Sequence, residues 1–175
     1  MPSSPIDMAN PTSFPGDFVL EVAELGQSLT TSIIKLTIAL KVPDRRVERL
    51  LHTISLTTSI LFDMGMTINK HREDVLIGDD ITRPRIEICR ADFQKLLSLS
   101  NLASEQGSWT REEIVNQNSV ADFNPWLLFR NEIESCNTFF GRIEASPGYY
   151  LTLNDTIKYK IYKELEKKCV KSIVS

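Results

Sequence analysis

At 175 residues, 42% of them hydrophobic and 25% charged, the chain is long enough to bury one core and too evenly composed to be fibrous or low-complexity. A formal charge of −3 and a pI near 5.5 give no dominant basic excess for a nucleic-acid backbone. Seven glycines against eight prolines, the prolines mostly between periodic segments, suit long helices better than a turn-rich β-fold.

Residues 1–16 hold four prolines among Ser, Asn and Gly and read as a disordered leader, with the domain spanning 17–171. The leader has neither the basic start nor the apolar run of a signal peptide, and nowhere do eighteen apolar residues run uninterrupted. The expectation is an intracellular, cytoplasmic protein. Asp17 reads as the N-cap of a helix over 17–41. Phe18, Val22, Leu25, Leu29, Ile33, Leu36 and Leu40 mark one face of it, while Leu20, Ile34 and Ile38 point the other way.

Val42-Pro43-Asp44 is a hinge, because proline disfavours helical geometry at the residue before it and Asp44 can cap the next helix. So short a connection folds two helices back as an antiparallel hairpin. The second helix, 44–70, organises the chain. Val47, Ile54, Leu61 and Ile68 recur every seven residues, with Leu50, Leu51, Phe62 and Met64 beside them. Thr58 and Gly65 lie on the same stripe, where small residues let another helix approach closely. Leu56 and Ile60 form a spare apolar pair on its far side.

His71 to Asp80 reads as a charged loop containing Gly78. Thr82 caps a third helix over 83–104, with Pro84 tolerated in its first turn. Ile86, Cys89, Phe93, Leu96, Leu97 and Ser100 form its inner face, and Gly107 marks its end. Thr110-Arg111-Glu112-Glu113 matches a capping box and opens a short helix over 111–117. Asn124-Pro125 starts a helix over 125–145, striped by Trp126, Phe129, Ile133, Cys136, Phe140 and Ile143, and Ser146-Pro147-Gly148 ends it. Asn154 or Asp155 then caps a last helix over 155–170 that carries Ile157, Ile161 and Leu165 among many lysines. No segment alternates as a strand does. The expected fold class is all-α: an antiparallel helical bundle of about four to six helices built around the long N-terminal hairpin.

Chemistry-bearing patterns are scarce. Cys89, Cys136 and Cys169 are odd in number and far apart, unlike a secreted disulfide framework, and the first two read as small core residues. With only His52 and His71, and no CxxC or HxxxH pair, no metal site is expected. Asp79-Asp80 and Glu112-Glu113 are adjacent carboxylates pointing in different directions, which suits solvated positions better than acid–base work. No GxSxG, GxxxxGK or GxGxxG spacing appears, so no catalytic or cofactor-binding residues are assigned. Arg45, Arg46 and Arg49 read as a solvated helix face. The lysines from Lys158 to Lys171 are offset by Asp155, Glu164 and Glu166, and their helix shows only a narrow apolar face for a membrane surface.

Asp44-Arg45-Arg46-Val47-Glu48-Arg49-Leu50, then Ile54-Ser55-Leu56-Thr57-Thr58-Ser59-Ile60-Leu61 and Met64-Gly65, resemble the fungal N-terminal helical domains of azaphilone-pigment cluster proteins. The same residues resemble the HeLo-like bundles that front fungal NACHT/STAND receptors. Ser135-Cys136-Asn137-Thr138-Phe139-Phe140-Gly141-Arg142-Ile143 is similar to a later helix of that group. The likeness covers roughly residues 16–70 and 125–165. The 78–124 stretch is longer than the connection usual there, and such proteins tend to continue into further helices, so complete and truncated forms both stay open. The resemblance implies a bundle used for association or signalling and brings no catalytic residues.

The expected function is a non-enzymatic fungal helical interaction or signalling module, with Leu20, Ile34, Ile38, Leu56 and Ile60 as its interaction surface. Its partner is a protein or a second copy, not nucleic acid or a small-molecule substrate. The alternative is a membrane-perturbing cell-death-type bundle. Membrane contact is not favoured, because Glu21, Glu24 and Lys35 interrupt the first helix and charges in a bilayer core are expensive.

Overall fold

The computed structural model describes residues 14–40, 45–75, 79–107 and 137–174. Four helices account for nearly all of them: α1 Pro15–Leu40, α2 Arg45–Lys70, α3 Asp79–Gly107 and α4 Asn137–Val174. Among the described residues there is no strand, and the fold class is all-α as the periodicity requires.

The heptad line of α2 is the centre of the core. Val47, Ile54, Leu61 and Ile68 are all buried, and Leu50 and Met64 beside them are sealed off as completely. From α1 come Phe18, Val22, Leu29, Ile33 and Leu36, and from α3 Ile86, Cys89, Phe93 and Leu96. Each fully buried side chain of this size contributes about 1.5–3 kcal/mol of transfer free energy, an upper value because unfolded chains also bury some surface.

Two close approaches set the α1–α2 crossing. A Cβ placed on Gly65 would stand 2.7 Å from Leu20 Cγ, and one on Gly26 would stand 2.8 Å from Phe93 Cε2 and closer still to Thr58 Oγ1. Only glycine fits at either point, so the small positions on the α2 stripe do bring a second helix close.

Pairs along the seams give the directions. Gly16 lies against Gly65 and Asn69, while Ile38 lies near Val47, so α1 and α2 are antiparallel. Arg83 stacks over the Phe18 ring and the Ser32 and Ser100 hydroxyls are 2.8 Å apart, so α1 and α3 run parallel. On α4, Glu144 meets Arg49 and Lys158 meets Asp63, so α4 runs parallel to α2. It runs antiparallel to α3, where Arg142 meets Asp92 and Tyr150 meets Arg85. The helices therefore alternate in direction along the chain, with α1 between α2 and α3, and α4 closing the ring along α2 and against α3.

Several boundaries differ from the expectations. Helix α1 begins at Pro15, two residues before the expected cap, inside the stretch read as leader; the Phe18 amide already donates to Phe14 O at 3.2 Å. Pro15 thus takes the first helical position, which needs no N–H. Asp17 sits in the first turn and accepts from Asn69 Nδ2 at 2.8 Å. Helix α3 begins at Asp79, so Thr82 is no cap but a fully buried residue inside the helix.

The largest correction concerns Ser146-Pro147-Gly148, which does not end a helix. Helix α4 runs through it for 38 residues, joining the two helices expected over 125–145 and 155–170 from Asn137 onward. Pro147 forfeits one backbone bond, to the Ile143 carbonyl, but burial anchors the helix on both sides of it. Ile143, Ser146 and Tyr150 are buried, and Ser146 Oγ donates to Arg142 O at 2.8 Å. Asn154 is likewise no cap: it is buried in mid-helix. The hinge 42–44, the helix expected over 111–117, and Trp126, Phe129, Ile133 and Cys136 lie outside the described residues.

Candidate functional site

The five residues expected to form one interaction surface do not do so. Leu20 is half-buried, packed where Gly65 lets α1 settle onto α2. Ile60 is 9% exposed and belongs to the core. Leu56 is exposed, but it lies seven residues from both Arg49 and Asp63, each of which reaches across to α4. It therefore sits on the α4 edge of α2, away from the α1 edge.

Ile34 and Ile38 remain together. They are 41% and 68% exposed, one turn apart near the C-terminal end of α1. With Thr37 they face Val47, Glu48 and Leu51 of α2 across a cleft of about 180 Å³. This end of the seam is lined by larger side chains, whereas Gly16 and Gly65 meet at the other end. The walls are apolar, and Glu48 at the rim supplies the one formal charge of the lining. That volume is below the usual range for cofactor or drug-sized sites and fits one or two apolar side chains. Val47 and Leu51 were not foreseen as lining, because an α2 stripe residue can be read from sequence only as core, and Glu48 read only as part of a solvated face.

Among the described residues, a cluster with reactive groups lies between α3 and α4. Arg142 grips Asp92 with two bonds, Nη2 to Oδ1 at 2.7 Å and Nε to Oδ2 at 3.2 Å. This pairing raises the Arg142 pKa further, so the guanidinium stays charged. Tyr150 donates its hydroxyl to Arg85 O at 2.6 Å. Burial, and then the neighbouring Cys89, push the Tyr150 phenol above its ordinary pKa. Burial, followed by the Asp92 charge, pushes the Cys89 thiol up to about 12. A thiol that is both enclosed and protonated at neutral pH is no nucleophile. What the cluster can do is hold α4 in register on α3.

A second polar clamp joins α4 to α2. Asp63 accepts from Lys158 Nζ at 2.6 Å and from Asn154 Nδ2 at 2.8 Å. The lysine first, then the amide, hold the Asp63 carboxyl below its ordinary range. Near the far end of α4, Lys168 Nζ donates to the Asp74 carbonyl. Arg49 of the basic cluster is taken up by Glu144 at 3.1 Å. Among the described residues, no three His, Cys, Asp or Glu side chains converge as metal ligands. No helix there is long and apolar enough to cross a membrane.

These partners were invisible in sequence because each joins residues fifty or more positions apart. Nor was the outward face of α4 foreseen, where Tyr159, Tyr162, Val170 and Ile173 stand exposed. No protein-family model, curated protein or solved structure matches this chain.

Proposed function

We propose that this protein is a non-enzymatic helical interaction module that takes an apolar side chain of a protein partner into the cleft between the end of α1 and the start of α2. The observation that carries this reading is the pair Ile34 and Ile38, exposed over the apolar side chains of Val47 and Leu51 in a cleft sized for a side chain. Glu48 at the rim favours a partner with a basic residue beside the inserted apolar one. The resemblance of the α2 sequence to fungal N-terminal helical domains used for association and signalling agrees with this reading.

The alternative, a membrane-perturbing bundle, would have to release its N-terminal helix. That helix lies between α2 and α3 and buries Phe18, Val22, Leu29, Ile33 and Leu36. Releasing it would open the core, which weighs against that mode. Since Ile60 is buried, the test falls on the exposed pair. An Ile34→Ser/Ile38→Ser double variant should keep the wild-type melting temperature within the small range of surface substitutions. It should also lose proteins that the wild type captures from a cell lysate and bind less of an apolar-surface dye. Equal capture by both forms would remove the cleft from the account.

A further inference from the structure

The second half of α4 is amphipathic twice. Ile157 and Ile161 face the core, while Tyr159, Tyr162, Val170 and Ile173, at 62%, 62%, 54% and 78% exposure, form a separate outward stripe. At 100° per residue these four fall within about 80° of one another, on the side opposite Ile157 and Ile161. From Glu166 to Ile173 every residue of α4 is exposed, although Lys168 still reaches the Asp74 carbonyl.

Charge is segregated onto the same stretch. Residues 158–171 contain six lysines and two glutamates, a local excess of four positive charges in a chain whose net charge is −3. The remaining residues therefore carry an excess of seven negative charges. Lys158 and Lys168 are engaged in positioning α4, on Asp63 and the Asp74 carbonyl. Lys163 and Lys167 hold Glu166 and Glu164 only at 3.5 Å, in exposed pairs along α4 itself. Such pairs are worth little and yield readily to another anion. With Lys160, these two lysines border one side of the apolar stripe.

We propose that the second half of α4 binds peripherally to an anionic lipid surface. Tyr159, Tyr162, Val170 and Ile173 enter the headgroup layer, while Lys160, Lys163 and Lys167 meet the lipid phosphates and carboxylates. Tyrosine suits that layer because its ring is apolar and its hydroxyl remains hydrated. Glu166 falls on the same line between Tyr162 and Val170, and a depression lies beside Val170, so it is the excess of lysines along this stretch that selects an anionic surface. A second copy would bring its own cationic helix to the contact, whereas an anionic bilayer complements it. The inference is independent of the cleft reading, since Ile34 and Ile38 lie on a different helix and take no part.

The experiment is co-sedimentation of the full chain with vesicles of phosphatidylcholine alone and of phosphatidylcholine with phosphatidylserine. Binding should be several-fold greater on the serine-containing vesicles and should fall as salt is raised. Lys160→Glu/Lys163→Glu/Lys167→Glu should lower it about tenfold or more, given the surface potential acting on each cation. Tyr159→Ser/Tyr162→Ser/Ile173→Ser should also lower it, with circular dichroism and melting unchanged because all three are exposed. Ile34→Ser/Ile38→Ser should bind vesicles as the wild type does, which keeps this result separate from that of the cleft. Equal binding to both vesicle types, no binding, or indifference to the lysine reversals would overturn the proposal. So would a concentration-dependent dimer abolished by the Tyr159/Tyr162/Ile173 variant with no vesicle binding, which would make the stripe a contact between copies.

Discussion

Where α1 crosses α2, a methyl group on Gly65 would stand 2.7 Å from Leu20 Cγ, so volume sets the closest approach, with the single Asn69–Asp17 hydrogen bond beside it. Where α4 meets α2 and α3, Arg142 holds Asp92, Tyr150 holds the Arg85 carbonyl, and Lys158 with Asn154 holds Asp63. Both seams bury apolar side chains, but different physics fixes their registers. A close-packed seam tolerates no added carbon, whereas a seam of paired polar groups tolerates changes of shape and answers to charge and pH. The first is the foundation of the bundle, and the second decides how a 38-residue helix, about 57 Å long, lies on partners of about 39–44 Å.

The sharpest test of that contrast is in the first seam. Ile54→Asp places a carboxylate where nothing is exposed and no cation is paired with it, and it should unfold the bundle. Gly65→Leu adds carbons where none fit, and should cost about 1–3 kcal/mol or more even though it raises helix propensity. Thermal unfolding followed by circular dichroism reads both. A Gly65→Leu protein as stable as wild type would mean the crossing can relax, and the distinction between the seams would collapse.

The α3–α4 clamp should give an intermediate effect. Asp92→Asn removes the charge that Arg142 grips, and hydrogen bonds to charged groups contribute about 1.5–3 kcal/mol. Arg142 is half exposed and keeps its water when the partner is lost, so the lower end of that range is expected. A double-mutant cycle with Arg142→Met should show coupling of about 1 kcal/mol or more. Additive losses would show that the two groups touch without holding the helices.

The same contrast explains how legible each seam was. The α1–α2 pairing could be read because its causes are local: a seven-residue apolar line and small residues at Thr58 and Gly65. The α3 face of Ile86, Cys89, Phe93, Leu96 and Ser100 was readable for the same reason, and all five are buried. The course of α4 was not. Ser146-Pro147-Gly148 carries every local signal of a helix end, and burial of Ile143 and Tyr150 on either side overrides it. The exposed apolar positions were half readable. Periodicity separates the faces of one helix but cannot say which neighbour covers them, so Ile34 and Ile38 are exposed as expected while Ile60 is buried. The Asp92–Arg142 pair had no sequence signal at all, since nothing local links positions fifty residues apart.

The smallest effect, and the most specific to the polar seam, belongs to Asp63. Its carboxyl is held below the ordinary range by Lys158 and then by Asn154, so it stabilises the folded state only while ionised. That contribution is present above the unfolded carboxylate value of 3.8 and is lost as pH falls through the lower, folded value. Asp63 and Lys158 are both about half exposed, and solvent screening keeps the pair to roughly 0.2–1 kcal/mol. At pH 7, Asp63→Asn should therefore melt no more than a few degrees below wild type, for about 1 kcal/mol in a domain of this size. As the pH is lowered below about 4 the wild-type carboxyl protonates, and the two melting temperatures should converge. Gly65→Leu should behave otherwise, its deficit depending less on pH because it arises from carbons forced against Leu20 and not from the loss of a charge. An Asp63→Asn deficit that persists undiminished at low pH would assign the loss to packing, and the α2–α4 seam would then obey the same rule as the α1–α2 crossing.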